Sequence, residues 1–242
     1  MCGIVGLFLK NPKLQGKLGE YLGLMLVKMS DRGPDSAGLA LYSSENRFDT
    51  KLTLRFYDEI YAKEMELSLD QELKGRFCIW KRKSHIILQF FEIDHGTILT
   101  ILFRLGKPPR ILSEGNAIEI FKEVGSPTNF VEQFKINDFK GSHGIGHTRM
   151  ATESAVTTMG AHPFSTGRDQ CLVHNGSLSN HNSVKRKLIQ HGIKFETEND
   201  SEVAASYLTH EMSSGLTLKE ALKKSLDELD GFFTFVVGTK KG

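Results

Sequence analysis

Apolar and polar positions alternate along this chain in blocks that change period several times. Residues 3–9 are apolar almost throughout and predict a first strand buried on both faces. Asn11-Pro12 ends it. From 17 to 30, Leu18, Leu22, Met25, Leu26 and Met29 recur at three- and four-residue steps, the signature of one helix face. The polar turn Arg32-Gly33-Pro34-Asp35-Ser36 leads into a second strand over 37–42. The pattern predicts strands at 52–57, 77–80 and 86–91, with 59–72 helical. Residues 98–103 are a further apolar run, 110–114 a short strand and 117–124 a helix.

Beyond Gly141, a strand over 144–152 ends in polar residues, and a second strand over 170–173 runs into a tight turn at His174-Asn175-Gly176. A helix follows over 179–191. Asn199 with Glu202, and Thr217 with Glu220, have capping-box spacing and predict two more helix starts. The last apolar run, 232–238, is a strand. Strands and helices in this order predict a layered α/β protein.

Length and composition narrow the class. The 242 residues suit one large domain or two small ones, and 39% hydrophobic with 25% charged residues is ordinary for a soluble globular protein. A formal net charge of +2 gives no reason to expect nucleic acid as a partner. No apolar stretch reaches the ~20 residues that span a bilayer, and no signal peptide is evident. The expected setting is therefore cytoplasmic, with no membrane partner. Cys2, Cys78 and Cys171 are too few and too scattered for a disulfide framework or a CxxC metal motif.

Cys2 changes the picture most. Removal of Met1 would leave one residue carrying a thiol, with an ordinary pKa of about 8.5, and an α-amine of about 7.7–8.0. The amine is then a base poised near neutrality beside a nucleophile. An amide substrate also needs an oxyanion hole and a clamp. An Asn175 side-chain amide and a Gly176 N–H could converge on one oxyanion. Arg149 could bind a carboxylate and Asp200 an ammonium, which together describe a pocket for an α-amino acid. Taken singly, Arg149 equally suits a surface ion pair, Asp200 a helix cap and Asn175-Gly176 a plain turn. A metal site of His143, His147, His162 and His174 is a further alternative, disfavoured by the strand-like spacing of the first two.

Six segments carry a resemblance: Met1-Cys2-Gly3-Ile4-Val5-Gly6, Arg32 to Gly38, Gly146 to Thr152, Ala161-His162-Pro163-Phe164, His174-Asn175-Gly176 and Asn199 to Val203. In this order they resemble the class II glutamine amidotransferases, N-terminal-nucleophile hydrolases. In detail the chain is similar to stand-alone amidotransferase-like subunits of split glutamate synthases and N-methylglutamate synthase. The resemblance implies an α+β protein folded as a four-layer αββα sandwich over 1–242, with an insertion or subdomain near 45–140. Members usually continue past 232–238 with further strands of the second sheet, so C-terminal strands are expected to be missing here.

It further implies that Cys2 attacks the side-chain amide of L-glutamine, that Asn175 and Gly176 hold the oxyanion, and that Arg149, with Thr152 nearby, binds the α-carboxylate. Asp200 would bind the α-ammonium and Arg32 would order the N-terminal region. No cofactor is implied, and ammonia would pass to a separate synthase subunit. Met150 stands where many members have Trp, and Glu153 where sugar-phosphate-forming members have His, which bears on the pocket's shape. A non-catalytic, amino-acid-binding regulatory subunit and an N-terminal-nucleophile hydrolase acting on another amide are the rival readings.

Overall fold

The computed structural model of the chain describes residues 2–43, 50–90, 92–151 and 155–242. Eleven strands and seven α-helices are described in it. In chain order they are β1 (Gly3–Phe8), α1 (Leu18–Lys28), β2 (Ser36–Tyr42), β3 (Thr50–Arg55), α2 (Glu59–Leu73), β4 (Phe77–Arg82), β5 (His85–Phe90), α3 (His95–Arg104), β6 (Arg110–Gly115) and β7 (Ile118–Val124). There follow α4 (Pro127–Gln133), β8 (His143–Arg149), β9 (Phe164–Gly167), β10 (Gln170–Leu178), α5 (His181–Gln190), α6 (Asp200–Ser213), α7 (Leu218–Glu228) and β11 (Gly231–Thr239).

Two antiparallel sheets face each other. One has the order β1-β8-β2-β7 and the other β11-β10-β9. Each uses the two-residue period of its strands to feed two cores at once. On β2, Leu39 and Leu41 join Leu18, Leu22 and Leu26 of α1, while Ala40 and Tyr42 turn inward to Cys171 and Val173 of β10. On β10, Leu172 and Leu178 turn the other way, into a core with Val184, Leu188, Val203 and Leu208 of α5 and α6. Helix, sheet, sheet and helix thus stack in four layers, as expected.

A third antiparallel sheet, β4-β5-β3-β6, stands beside the sandwich with α2 and α3 packed on it around Leu52, Leu54, Met65, Leu69 and Leu88. It is joined to the first sheet where β6 turns into β7. There the Asp169 carboxylate accepts the N–H groups of Asn116, Ala117 and Ile118 at 2.9, 2.7 and 3.1 Å.

Several local expectations are corrected. Residues 117–124 are not a helix: β7 pairs with β2 from Ser36↔Val124 to Tyr42↔Ile118. Apolar residues on both of its faces, Ile118 and Ile120 inward and Phe121 toward α1, had hidden the two-residue period. The run 98–103 lies in α3, capped by Asp94. Strand β1 is an edge strand, with Phe8 49% exposed, rather than buried on both faces. Thr217 and Glu220 do form a capping box. Asn199 caps α6, but Glu202 turns back to the N–H groups of Glu196 and Thr197 instead of completing a box. Among the described residues, no helix is long and apolar enough to cross a membrane.

Candidate active site

The sandwich brings distant segments to one end of its sheets. Cys2 immediately precedes β1, and β1 pairs with β8 in the register Gly3↔Thr148. That register puts Cys2 beside Arg149 and Met150, and its Sγ lies 3.8 Å from the Met150 carbonyl. From the second sheet, Asn175 Nδ2 donates to the Cys2 carbonyl at 3.4 Å. From the helical layer, Asp200 opens α6. Cys2, Arg149, Gly176 and Asp200 all line one cleft of about 200 Å³, together with Met150 and His162.

Asn175 and Gly176 do not form a turn. They lie within β10, opposite Thr234 and Phe233 of β11. The backbone reversal expected there is replaced by a local distortion. Gly176 has φ +133°, and a Cβ built on it would lie 2.0 Å from the Phe232 carbonyl oxygen, so only glycine fits. This turns the strand at the cleft while the ladder continues to Leu178.

Arg149 ends β8 and is 6% exposed. Its Nη1 donates to the carbonyls of Ala155 and Gly160, both at 3.4 Å. Gly160 O also accepts from Asn199 Nδ2 at 2.8 Å, which ties the loop after β8 to the start of α6. The turn Arg32 to Ser36 packs on the same strand end, where a Cβ on Gly33 would meet the Thr148 carbonyl carbon at 2.4 Å. Arg32 itself is exposed and is not among the residues lining the cleft. Thr152 lies outside the described residues, as does Met1.

The Asp200 carboxylate is fixed on both oxygens. Oδ2 accepts the Leu178 N–H at 2.9 Å and Oδ1 accepts from Ser201 Oγ at 3.3 Å. His174 Nδ1 is hydrogen-bonded to Ser201 Oγ at 2.7 Å and stands 3.7 Å from Asp200 Oδ1. Burial lowers the pKa of His174, with Asp200 acting against it. Burial also holds His147 down to about 3 and His162 well below the usual histidine range. These three buried rings cluster at the cleft, whose lining includes His162 and His174; the His147 and His162 centroids are 4.0 Å apart and those of His162 and His174 6.5 Å. His143, the fourth histidine of the metal alternative, instead stacks on Tyr42 and bonds the Thr239 carbonyl. Among the described residues, no group of three or more His, Cys, Asp or Glu is placed to hold a metal ion.

Sequence reasoning missed Asn199, Ser201 and the Met150 carbonyl as parts of the cleft, and took His162 and His174 for possible ligands. All of them fall inside the quoted motifs, which was the available signal.

Arranged this way, a thiol, a guanidinium, a carboxylate and a strand glycine share one polar cleft, with an asparagine amide on the Cys2 carbonyl. That set can hold a zwitterionic amino acid and present its side chain to a nucleophile.

A family profile described as a glutamine amidotransferase domain matches residues 147–242. The chain is 52% identical over 244 residues to the glutamine amidotransferase-like protein GlxB of Rhizobium meliloti, covering all of this chain and 80% of that one. It is 32% identical over 262 residues to a protein of Methanothermobacter thermautotrophicus described as a glutamine amidotransferase, covering 83% of it. Among solved structures, it superimposes on the allosteric regulatory enzyme of purine biosynthesis with a TM-score of 0.57 at 19% identity, over 99% of this chain and 36% of that one. The four-layer fold is that of the N-terminal-nucleophile amidotransferases. By its fold and by its likeness to relatives along its whole length, this chain belongs to the glutamine amidotransferase family.

Proposed function

We propose that the chain is the glutaminase part of an amidotransferase, with residues 1–242 acting as one glutamine amidotransferase domain. The observation that carries this reading is that Cys2, Arg149 and Asp200 line a single cleft. Glutamine binds with its α-carboxylate on the Arg149 guanidinium and its α-ammonium on Asp200. These contacts fix the substrate's backbone and leave its side chain to reach Cys2. The free α-amine of Cys2 takes the thiol proton, and the sulfur adds to the amide carbon.

Asn175 Nδ2 and the Gly176 N–H hold the oxyanion. The C–N bond then breaks, and the amine-held proton leaves with ammonia. Water attacks the glutamyl thioester, releasing glutamate and restoring the thiol. Thr152 assists the carboxylate site, and Arg32 orders the N-terminal region from the surface. Ammonia passes to a separate synthase subunit of the split glutamate synthase or N-methylglutamate synthase type, in the cytoplasm.

The test is ammonia release from L-glutamine by protein whose Met1 removal has been verified by mass spectrometry. Activity is expected in the processed chain and absent in Cys2→Ala. No ammonia from protein with a free Cys2 amine would overturn the reading for this chain. Transfer is tested with a co-purified synthase subunit: its glutamine-dependent product should vanish with Cys2→Ala, while added ammonia restores it.

A further inference from the structure

The loop between β8 and β9 is tied to the inserted sheet as well as to the cleft. Two of its carbonyls, Ala155 O and Gly160 O, receive the Arg149 guanidinium. Between them sits Thr158, 7% exposed. Its hydroxyl accepts from Arg55 Nη2 at 3.2 Å and donates to Glu123 Oε1. The second Glu123 oxygen takes Ser84 Oγ at 3.2 Å and faces Lys83 Nζ at 3.6 Å. Arg55 ends β3, and Lys83 and Ser84 form the turn from β4 to β5, so all three partners come from the inserted sheet.

The far end of the loop is held from β7. Lys122 Nζ donates to the carbonyls of Met159, Ala161 and Pro163 at 2.9, 2.8 and 3.3 Å.

A hydroxyl has one proton to give and two lone pairs to accept with. Thr158 spends its proton on a carboxylate and accepts from a guanidinium, both charge-assisted and therefore strong contacts. The carbonyls on either side of it fix where the Arg149 guanidinium sits, and substrate-binding groups keep their geometry only when such supporting contacts lock them.

We propose that Thr158 is a positioning residue for the glutamine site, and that through it Arg55 of the inserted sheet sets the place of the loop that holds Arg149. The role rests on Arg149 being the carboxylate clamp. Displacing the Arg55 end of the inserted sheet then changes glutamine affinity without touching the Cys2 chemistry.

The experiment uses the processed full chain with Thr158→Val, Thr158→Ser and Arg55→Met. Valine removes the hydroxyl at nearly constant volume and serine restores it. Losing a hydrogen bond to a charged group predicts a rise in glutamine KM of about tenfold in Thr158→Val and in Arg55→Met, with kcat little changed. Thr158→Ser should return KM close to that of the unaltered chain.

A second readout needs no turnover: the glutamine concentration that half-protects Cys2 from iodoacetamide should rise by the same factor. The unprotected alkylation rate should stay constant. An unchanged KM in both Thr158→Val and Arg55→Met, or a serine variant as impaired as the valine one, overturns the positioning role while the glutaminase reading stands. If the unaltered chain neither releases ammonia nor is protected by glutamine, both fall together.

Discussion

Asp35 Oδ2 accepts the N–H of Ala151 at 2.8 Å, so a turn near the start of the chain grips the main chain two residues past Arg149. The same aspartate donates its own N–H to the Arg149 carbonyl at 3.0 Å, and its carbonyl accepts from Gly125. The Arg-Gly-Pro-Asp segment therefore fixes the exit of β8, where the cleft's guanidinium sits. A side-chain acceptor closes a gap that no ladder bond could fill.

Asp35→Ala leaves the Ala151 N–H without this acceptor. It is expected to destabilise the chain by about 1–3 kcal/mol. Asp35→Asn keeps an acceptor oxygen without the charge and should lose less. Urea unfolding gives the stabilities and glutamine KM gives the site's response. An alanine variant as stable as the parent, with unchanged KM, would show that this contact carries no weight.

Gly176→Ala places a Cβ in a backbone conformation at φ +133° and against the Phe232 carbonyl oxygen. Strain of this kind costs about 1–3 kcal/mol before any clash is counted. The denaturation midpoint should fall at constant m-value, and glutaminase activity should fall further than stability alone requires. A midpoint equal to the parent's would mean that β10 relaxes freely at this point.

Arg149→Lys keeps the charge but replaces a planar fork with a point donor. Losing one charged hydrogen bond, about 1.5–3 kcal/mol, should raise glutamine KM by about ten- to a hundredfold. Alkylation of Cys2 by iodoacetamide, which has no α-carboxylate, should proceed at the parent's rate. Equal slowing of both reactions would place the defect at Cys2 instead.

Acid should unfold the chain through its buried histidines. Burial holds His85 and His147 to about 3 in the folded state, against an unfolded value near 6.5. A folded-state pKa below the unfolded one means that the unfolded chain binds protons first. The stability is therefore complete above about pH 6.5 and is lost as pH falls toward 3, by up to about 1.4 kcal/mol per pH unit for each ring. Unfolding free energies at pH 7 and pH 5 check the sign. His85→Phe, which keeps an aromatic ring beside Phe121 and Phe134, should flatten the slope. Greater stability at pH 5 than at pH 7 would contradict this account.

Much of the site was legible because its chemistry is written in local motifs. Cys2, Arg149, Gly176 and Asp200 were named from residue type and spacing, and they converge on one cleft. Arg32 was grouped with them by its motif, yet it is the neighbouring Gly33 and Asp35 that touch the strand end. His147, His162 and His174 read as scattered or ligand-like residues because nothing local says that rings from two strands and the loop between β8 and β9 will meet in one buried cluster. Glu202 looked like a cap because the spacing fits. It bonds to Glu196 and Thr197 because the preceding loop folds back within its reach.

The sequence by itself determined which segments could be buried and on which side. The three- and four-residue steps of Leu18, Leu22 and Leu26 made a helix face, and the Thr217–Glu220 pair fixed a helix start, because both depend only on neighbours within one turn. The tertiary structure decided what pairs with what. Residues 118–124 became a strand because β2 offered an open edge, and Asn175-Gly176 stayed in a strand because β11 continued alongside it. The Cys2 thiol reached Met150 because β1 and β8, some 140 residues apart, hydrogen-bond in one register. Backbone hydrogen bonds between strands have no local signature, and a period of two apolar residues on both faces is compatible with either conformation until a partner strand is present.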